Sequence, residues 1–352
     1  LTSNRLGVKV VSKVLYHKTG FNKSLPHSMV VVPNSPQHLR EVIEVTRADL
    51  IRNFLLISNR KFLNYVATKN LPSSEKKAIK SYFDSRLAII DSCLVFDGYL
   101  RLSEVYDYLI ADEKRVYSYN FGMLFSRVFC EKVLNIQFMY DYDFQVDNQT
   151  SVMGAILPTQ QVMNDIKPDL IGRTLCGEWV IFEAKGKCAN IYLKKFDNKN
   201  VILGTALTDA SKKTLRKALA QAQKITAING KSVLFNVAGI TSISRDKIDM
   251  YVEDPESDFY KINVNVDRYT QCSVNIFWAA LDALSDGEYY SYNGFTWFPL
   301  LTCRDLHVGF DETNLQYAAK LESYKKNSLN ETPTDRELSF GNDGVGLSLP
   351  VS

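Results

Sequence analysis

The chain has 352 residues, and about 150 residues per domain gives a prior of two domains. Hydrophobic residues make up 45% and charged residues 23%, which excludes a disordered, collagenous or coiled-coil chain. Forty-two basic residues against 39 acidic ones leave +3, a figure that by itself says nothing about partners. No apolar run approaches the roughly 18 residues of a membrane span, and the opening Leu1-Thr2-Ser3-Asn4-Arg5 has no signal-peptide pattern. A cytoplasmic protein with no membrane partner is therefore expected. Cys93, Cys130, Cys176, Cys188, Cys272 and Cys303 form no C-x-x-C pair, so they read as reduced thiols. His17, His27, His38 and His307 are the only histidines, and phosphate-loop, zincin and nucleophile-elbow motifs are missing. Any chemistry must rest on carboxylates and lysines.

In chain order, the Val-rich segments 7–16 and 28–32 predict strands. Ser35 as cap and Pro36 at the first helical position predict a helix. Leu39, Val42, Ile43, Leu50, Phe54, Leu55, Leu63 and Val66 continue it at helical spacing, and Ser73-Ser74-Glu75-Lys76 starts another. Phe121, Leu124, Phe125, Val128, Phe129, Val133 and Leu134 predict a helix over 117–134, followed by a strand at 136–144. Strands at 167–174 and 178–185 flank a turn at Gly177. A helix over 209–229, marked by Leu215, Leu219, Ala222 and Ile225, leads to a strand at 232–240. The segments 259–266, 273–284, 295–300 and 311–323 extend the same layered unit. From Lys325 onward the composition is polar and predicts a flexible tail.

Chemistry concentrates at Pro168-Asp169-Leu170 and Glu183-Ala184-Lys185-Gly186. Side chains two apart on a strand share a face, so Glu183 and Lys185 point one way while Phe182 and Ala184 point the other. Folding back at Gly177 brings Asp169 to the same region. Two carboxylates buried together raise one another's pKa and carry a desolvation cost. A divalent cation held by Asp169 and Glu183 relieves both. Oxygen-only ligands suit Mg²⁺, with Mn²⁺ as the alternative. Such an ion lowers the pKa of a bound water and clamps a phosphate, while Lys185 orients the water or neutralises developing charge.

These residues resemble the PD-(D/E)XK nuclease superfamily in Pro168-Asp169 and Glu183-Ala184-Lys185, over residues 117–240, about a third of the chain. The resemblance implies an α/β fold with a restriction-endonuclease-like core, a mixed central sheet flanked by helices. It implies that Asp169 and Glu183 bind metal and that Lys185 assists catalysis. The expected activity is metal-dependent phosphodiester hydrolysis, in DNA rather than RNA, in restriction, prokaryotic defence or repair. Some members of the superfamily add an acid from the preceding helix and a polar residue from the following one; Glu131 and Gln221 are the candidates here. The alternative is an inactive nuclease-fold scaffold that grips nucleic acid or a partner protein. The expected domains are an α/β or mostly helical accessory domain at 1–115, a nuclease domain at 116–324 and a flexible tail at 325–352. A partner protein or homo-oligomer is also expected.

The +3 average conceals a local excess. Between Lys185 and Lys231, eleven basic residues face only Asp197 and Asp209, leaving +9. Lys187, Lys213, Lys217 and Lys224 are the expected contacts to a nucleic-acid backbone, the last three as one stripe on the 209–229 helix. Three rival signals are weaker. Asp141-Tyr142-Asp143 lacks a phosphate loop, and Gly341, Gly344 and Gly346 follow no strand–helix junction. The aromatics Tyr289, Tyr290, Tyr292, Phe295, Trp297 and Phe298 read first as hairpin packing and second as a base-stacking surface.

Overall fold

The computed structural model describes residues 11–19, 39–57, 66, 69–142, 156–157, 168–174, 176–189, 191–197, 200–229, 231–254, 260–264, 280–281, 283–284, 290–301, 305–311, 327–328, 336–341, 343 and 345–350. The elements run β1 Val11–Thr19, β2 Leu39–Thr46, α1 Arg47–Leu55, α2 Ser73–Cys93, β3 Leu94–Val95, β4 Arg101–Leu102, α3 Val105–Tyr108, α4 Ala111–Lys132, β5 Ile136–Asp141, β6 Ile156–Leu157, β7 Leu170–Thr174 and β8 Trp179–Lys187. They continue β9 Tyr192–Asp197, β10 Asn200–Leu207, α5 Asp209–Ala222, β11 Ile225–Ile228, β12 Lys231–Ser232, β13 Phe235–Ile243, β14 Ile248–Glu253 and β15 Tyr260–Val264. The last are β16 Tyr290–Tyr292, β17 Phe295–Leu301, β18 Leu306–Asp311, β19 Asn327–Ser328, β20 Arg336–Phe340 and β21 Val345–Pro350. The class is mixed α/β.

Two compact units divide the chain, and both are discontinuous. One holds Ser12–Glu44 and Ser92–Asn265; the other holds Leu1–Val11, Val45–Asp91 and Val266–Ser352. The expected bounds at 115 and 324 differ from this division. Strand β1 belongs with the sheet of the first unit because it pairs in parallel with β14, Leu15 opposite Asp249. Pairing across more than 200 residues leaves no local pattern to read. The expected flexible tail instead contributes β20 and β21 to a six-stranded sheet of order β19-β16-β17-β18-β21-β20. Its polar Glu337 and Ser339 are buried because they bond to α1: Ala48 N donates to Glu337 Oε1 at 3.2 Å, and Ser339 Oγ donates to Asp49 Oδ1 at 2.6 Å.

Two expected helices are revised. Residues 39–46 form a strand, with Ile43 and Val45 buried and Val42 and Glu44 exposed in strict alternation. Helix α1 starts only at Arg47, where Thr46 and Asp49 exchange side-chain and backbone bonds in a capping box. The 209–229 helix ends at Ala222, and Ile225-Thr226-Ala227-Ile228, three of its four residues β-branched, becomes β11. The elements predicted at 28–32, Ser35–Pro36, 273–279 and 312–323 lie outside the described residues.

The first unit is built on a seven-stranded sheet of order β2-β1-β14-β13-β8-β7-β5. Strands β5, β7 and β8 are antiparallel neighbours, β8 and β13 are parallel, and β13 and β14 are antiparallel. Strand β8 is an interior strand between β13 and β7, and its Val180-Ile181-Phe182 run is fully buried. The predicted hairpin turn is present. Gly177 sits at φ +82°, where only glycine is unstrained, and Thr174 N donates to Glu178 O at 2.9 Å.

Each face of β8 meets its own helix. Phe182 packs on Phe129 of α4, with ring centroids 6.2 Å apart. Further along, a Cβ on Gly186 would lie 1.7 Å from the Ser118 carbonyl oxygen, so α4 and β8 touch backbone to backbone. Even-numbered β8 residues therefore face α4. The odd-numbered face carries the neighbours Ala238 and Ile240 of β13, which cluster with Leu215 and Ala218 of α5. In the second unit Tyr290, Phe295, Trp297 and Phe298 make ring contacts as hairpin packing requires, and Tyr289 lies outside the described residues. Trp297 lies over Gly309 and Gly346, flanked by Tyr290, Phe295 and Phe340, and the hairpin turn is Asn293-Gly294.

Candidate active site on the β7–β8 hairpin

The register Leu170 to Phe182 sets Asp169 beside Glu183 at the open end of the hairpin. Two reciprocal bonds lock that end. Asp169 N donates to Glu183 Oε2 at 3.1 Å, and Ala184 N donates to Asp169 Oδ2 at 2.8 Å. Lys185 Nζ donates to Glu183 Oε1 and lies 3.6 Å from Asp169 Oδ2. The two carboxylates and the ammonium expected from the sequence thus form one cluster. The Glu183 side chain is only 1% exposed, against 16% for Asp169 and 30% for Lys185, so solvent reaches the cluster from the lysine side.

Burial is the main electrostatic influence. It pushes Glu183 up to about 8, with the neighbouring Asp169 charge adding in the same direction. Burial also raises Asp169, which Lys185 and the Ala184 N–H partly offset. For Lys185 burial favours loss of the proton, but the two carboxylates outweigh it and hold the ammonium above its ordinary value. Burial thus favours the protonated form of both acids, while the lysine keeps its charge.

The donor set fits a hard divalent cation. Asp169 and Glu183 offer carboxylate oxygens only, each with spare lone pairs beyond the bonds above. Among the described residues no group of three or more His, Cys, Asp or Glu side chains gathers to hold a metal. The two acids would have to be completed by water or by substrate oxygens.

The supporting residues divide. Glu131 lies two residues past Phe129 on α4, and so belongs to the helix on the opposite face of β8 from Glu183 and Lys185. Strand alternation makes that separation unavoidable. Gln221 is half-buried near the end of α5, on the same side of the sheet as the cluster, but no hydrogen bond or ion pair joins it to the three residues. Of the rival signals, Asp141 ends β5 opposite Leu170, in the row that faces α4, and Asp143 lies outside the described residues.

The basic stripe is redrawn. Ser211, Leu215, Ala218 and Ala222 turn inward on α5, which exposes Lys212, Lys213, Arg216 and Lys217. Lys224 follows the helix end and is half-buried. Lys187 Nζ donates to the Ala210 carbonyl at 3.2 Å, and burial lowers its pKa. Lys212 and Arg216 were not singled out from the sequence, although their four-residue spacing beside Lys213 and Lys217 carried the signal. Gly186 was also missed. Its signal was a glycine directly after the lysine of Glu183-Ala184-Lys185.

No family model, curated protein or solved structure matches this chain. No helix among the described residues is long and apolar enough to cross a membrane.

Proposed function

We propose that the chain is a metal-dependent nuclease that hydrolyses phosphodiester bonds, with DNA as substrate and a restriction-endonuclease-like core in its first unit. The observation that carries this reading is the burial of Glu183 in contact with both Asp169 N–H and the Lys185 ammonium, in a cluster open to solvent on one side. Burying a second acid next to Asp169 costs stability, and a phosphate-processing site gives that cost a purpose. The layout adds support: α4, the β5-β7-β8 meander, then α5 crossing to parallel β13, is the order that the resemblance implies.

Asp169 and Glu183 would hold Mg²⁺, or Mn²⁺ in its place. When bound, such an ion supplies Lewis-acid stabilisation of the phosphate and a water of lowered pKa. Lys185 faces the open side and keeps its charge, so it can neutralise the phosphate oxygens and orient water for attack. Glu183, held by the Asp169 N–H, keeps its carboxylate aimed at the same point. A setting in restriction, prokaryotic defence or repair follows from the same resemblance.

The test is cleavage of plasmid, linear duplex and single-stranded DNA, and of RNA, with Mg²⁺, Mn²⁺ or EDTA. Lys185→Ala and Glu183→Ala are run alongside. Metal-dependent cutting lost in both folded variants supports the proposal; equal cutting by both would sink it. Binding without cutting under every metal would favour an inactive scaffold.

A further inference from the structure

Between the Glu183-Ala184-Lys185 strand and helix α5 the chain inserts a two-stranded ribbon that the nuclease reading does not use. Strands β9 and β10 pair antiparallel, from Asn200 opposite Asp197 to Leu207 opposite Tyr192. Among the described residues this ribbon hydrogen-bonds to no other sheet. A ribbon standing alone is marginally stable at best, so something must fix its base. Here the base is well anchored. Ile191, Tyr192 and Leu207 are buried in one cluster with Leu215, Ala218, Ala238 and Ile240. Thr208 N donates to Ile191 O at 2.9 Å, and Tyr192 Oη donates to Met250 O at 3.3 Å.

That cluster lies on the odd-numbered face of β8, the face of Glu183 and Lys185. Three features therefore share one side of the seven-stranded sheet: the acid–acid–lysine cluster, the root of the ribbon, and α5 with Lys212, Lys213, Arg216 and Lys217 exposed along its outer face. The ribbon carries Lys194 and Lys195 opposite Leu203 and Ile202, and Asp197 is its one acid among residues 192–207.

We infer that the β9–β10 ribbon enters the major groove of double-stranded DNA while the outer face of α5 holds the adjacent phosphates. This rests on the nuclease reading of the same sheet face and adds the form of the substrate to it. The major groove of B-form DNA is about 12 Å wide and admits a two-stranded ribbon. The major groove of an RNA duplex is too narrow for one, and a single strand has no groove. Four exposed cations in two rows, each with a four-residue spacing of about 6 Å along the helix, suit a phosphate backbone that must be gripped without regard to sequence.

The experiment is equilibrium binding by fluorescence anisotropy in EDTA, so that affinity is read without cleavage. Duplex DNA, duplex RNA and single-stranded DNA of one sequence are compared at several salt concentrations. The intact chain should prefer duplex DNA. Lys213→Glu with Lys217→Glu should weaken duplex binding and reduce its salt slope by about 2. Joining Tyr192 to Leu207 through an Asn-Gly turn should cost about tenfold or more on duplex DNA and little on the other two ligands. Should that deletion fail to keep the parental melting transition, Lys194→Glu with Lys195→Glu takes its place.

Equal affinity for duplex RNA and duplex DNA would overturn the inference, as would a folded ribbon variant that binds duplex DNA like the parent. Ribbon-dependent duplex binding without cleavage in Mg²⁺ or Mn²⁺ would remove the nuclease reading and leave the ribbon surface standing. Cleavage unaffected by the ribbon variants would do the reverse.

Discussion

Each unit of the molecule buries a cluster of charged side chains, and the two clusters differ in access. In the unit containing α1, Arg52 Nε donates to Ser339 Oγ at 3.0 Å and Arg52 Nη1 lies 3.7 Å from Asp343 Oδ1. Asp343 in turn accepts from Val345 N at 3.1 Å, and Asp49 caps the start of α1. Both Arg52 and Asp343 side chains are 1% exposed. A Cβ on Gly341 would sit 2.0 Å from Arg52 Nη1, so the chain closes directly over the guanidinium. Those charges tie a helix to the edge hairpin β20–β21. In the Asp169–Glu183–Lys185 cluster one acid is just as deeply buried, yet the lysine opens to solvent. Buried charge alone therefore does not mark a site. Access on one side is what separates the candidate active site from a structural clamp.

Four measurements test what the buried charged groups do. Arg52→Ala should cost the most, about 3–5 kcal/mol, because it strands the buried Asp343 charge. Calorimetry would read this as a melting temperature lower by roughly 6 °C or more, with cleavage per folded molecule retained. Loss of cleavage without loss of stability would reverse the roles of the two clusters. Lys185→Ala and Asp169→Asn should do the opposite, lowering the rate of cleavage by about 10²–10³ while leaving the melting curve close to the parent's.

Glu183→Gln is expected to raise stability at pH 7, where burial disfavours the carboxylate, while abolishing cleavage. The folded state lifts this group from 4.5 to about 8, so folding favours its neutral form. The parent should lose stability as pH rises from about 4.5 to about 8 and level off beyond, and the Gln variant should lack that part of the decline. A Gln variant less stable than the parent at pH 8 would refute the electrostatic account.

The smallest effect concerns His307, whose Nδ1 meets Tyr290 Oη at 2.7 Å and whose Nε2 lies 3.1 Å from Asp305. Burial, helped by Arg336, lowers its pKa below the ordinary 6.5, so folding favours the neutral ring. Its contribution is complete above about pH 6.5 and is lost as pH falls below that value. Melting curves between pH 7.5 and 5.5 should fall less for His307→Gln than for the parent; parallel curves would exclude the effect.

Much of the first unit was legible because its signals are local. The hairpin around Gly177, the shared face of Glu183 and Lys185, and the inward positions Leu215 and Ala222 of α5 follow from the two-residue and 3.6-residue periods, whereas Leu219 is only half-buried and Ile225 belongs to β11. Where the periods competed, local reading failed. Leu39, Val42 and Ile43 fit a helical spacing, but the alternation of Val42-Ile43-Glu44-Val45 prevailed because β2 joins the edge of the seven-stranded sheet beside β1.

By itself the sequence determined which residue types could carry chemistry and which neighbours in the chain share a face. Tertiary structure alone decided that Glu131 lies across the sheet from the cluster, that Lys187 is engaged at Ala210, and that β20 and β21 are sheet strands and not a tail. It also decided which buried charges remain open to solvent. Exposure and long-range strand pairing depend on what packs from elsewhere in the chain, and no window of neighbouring residues contains that information.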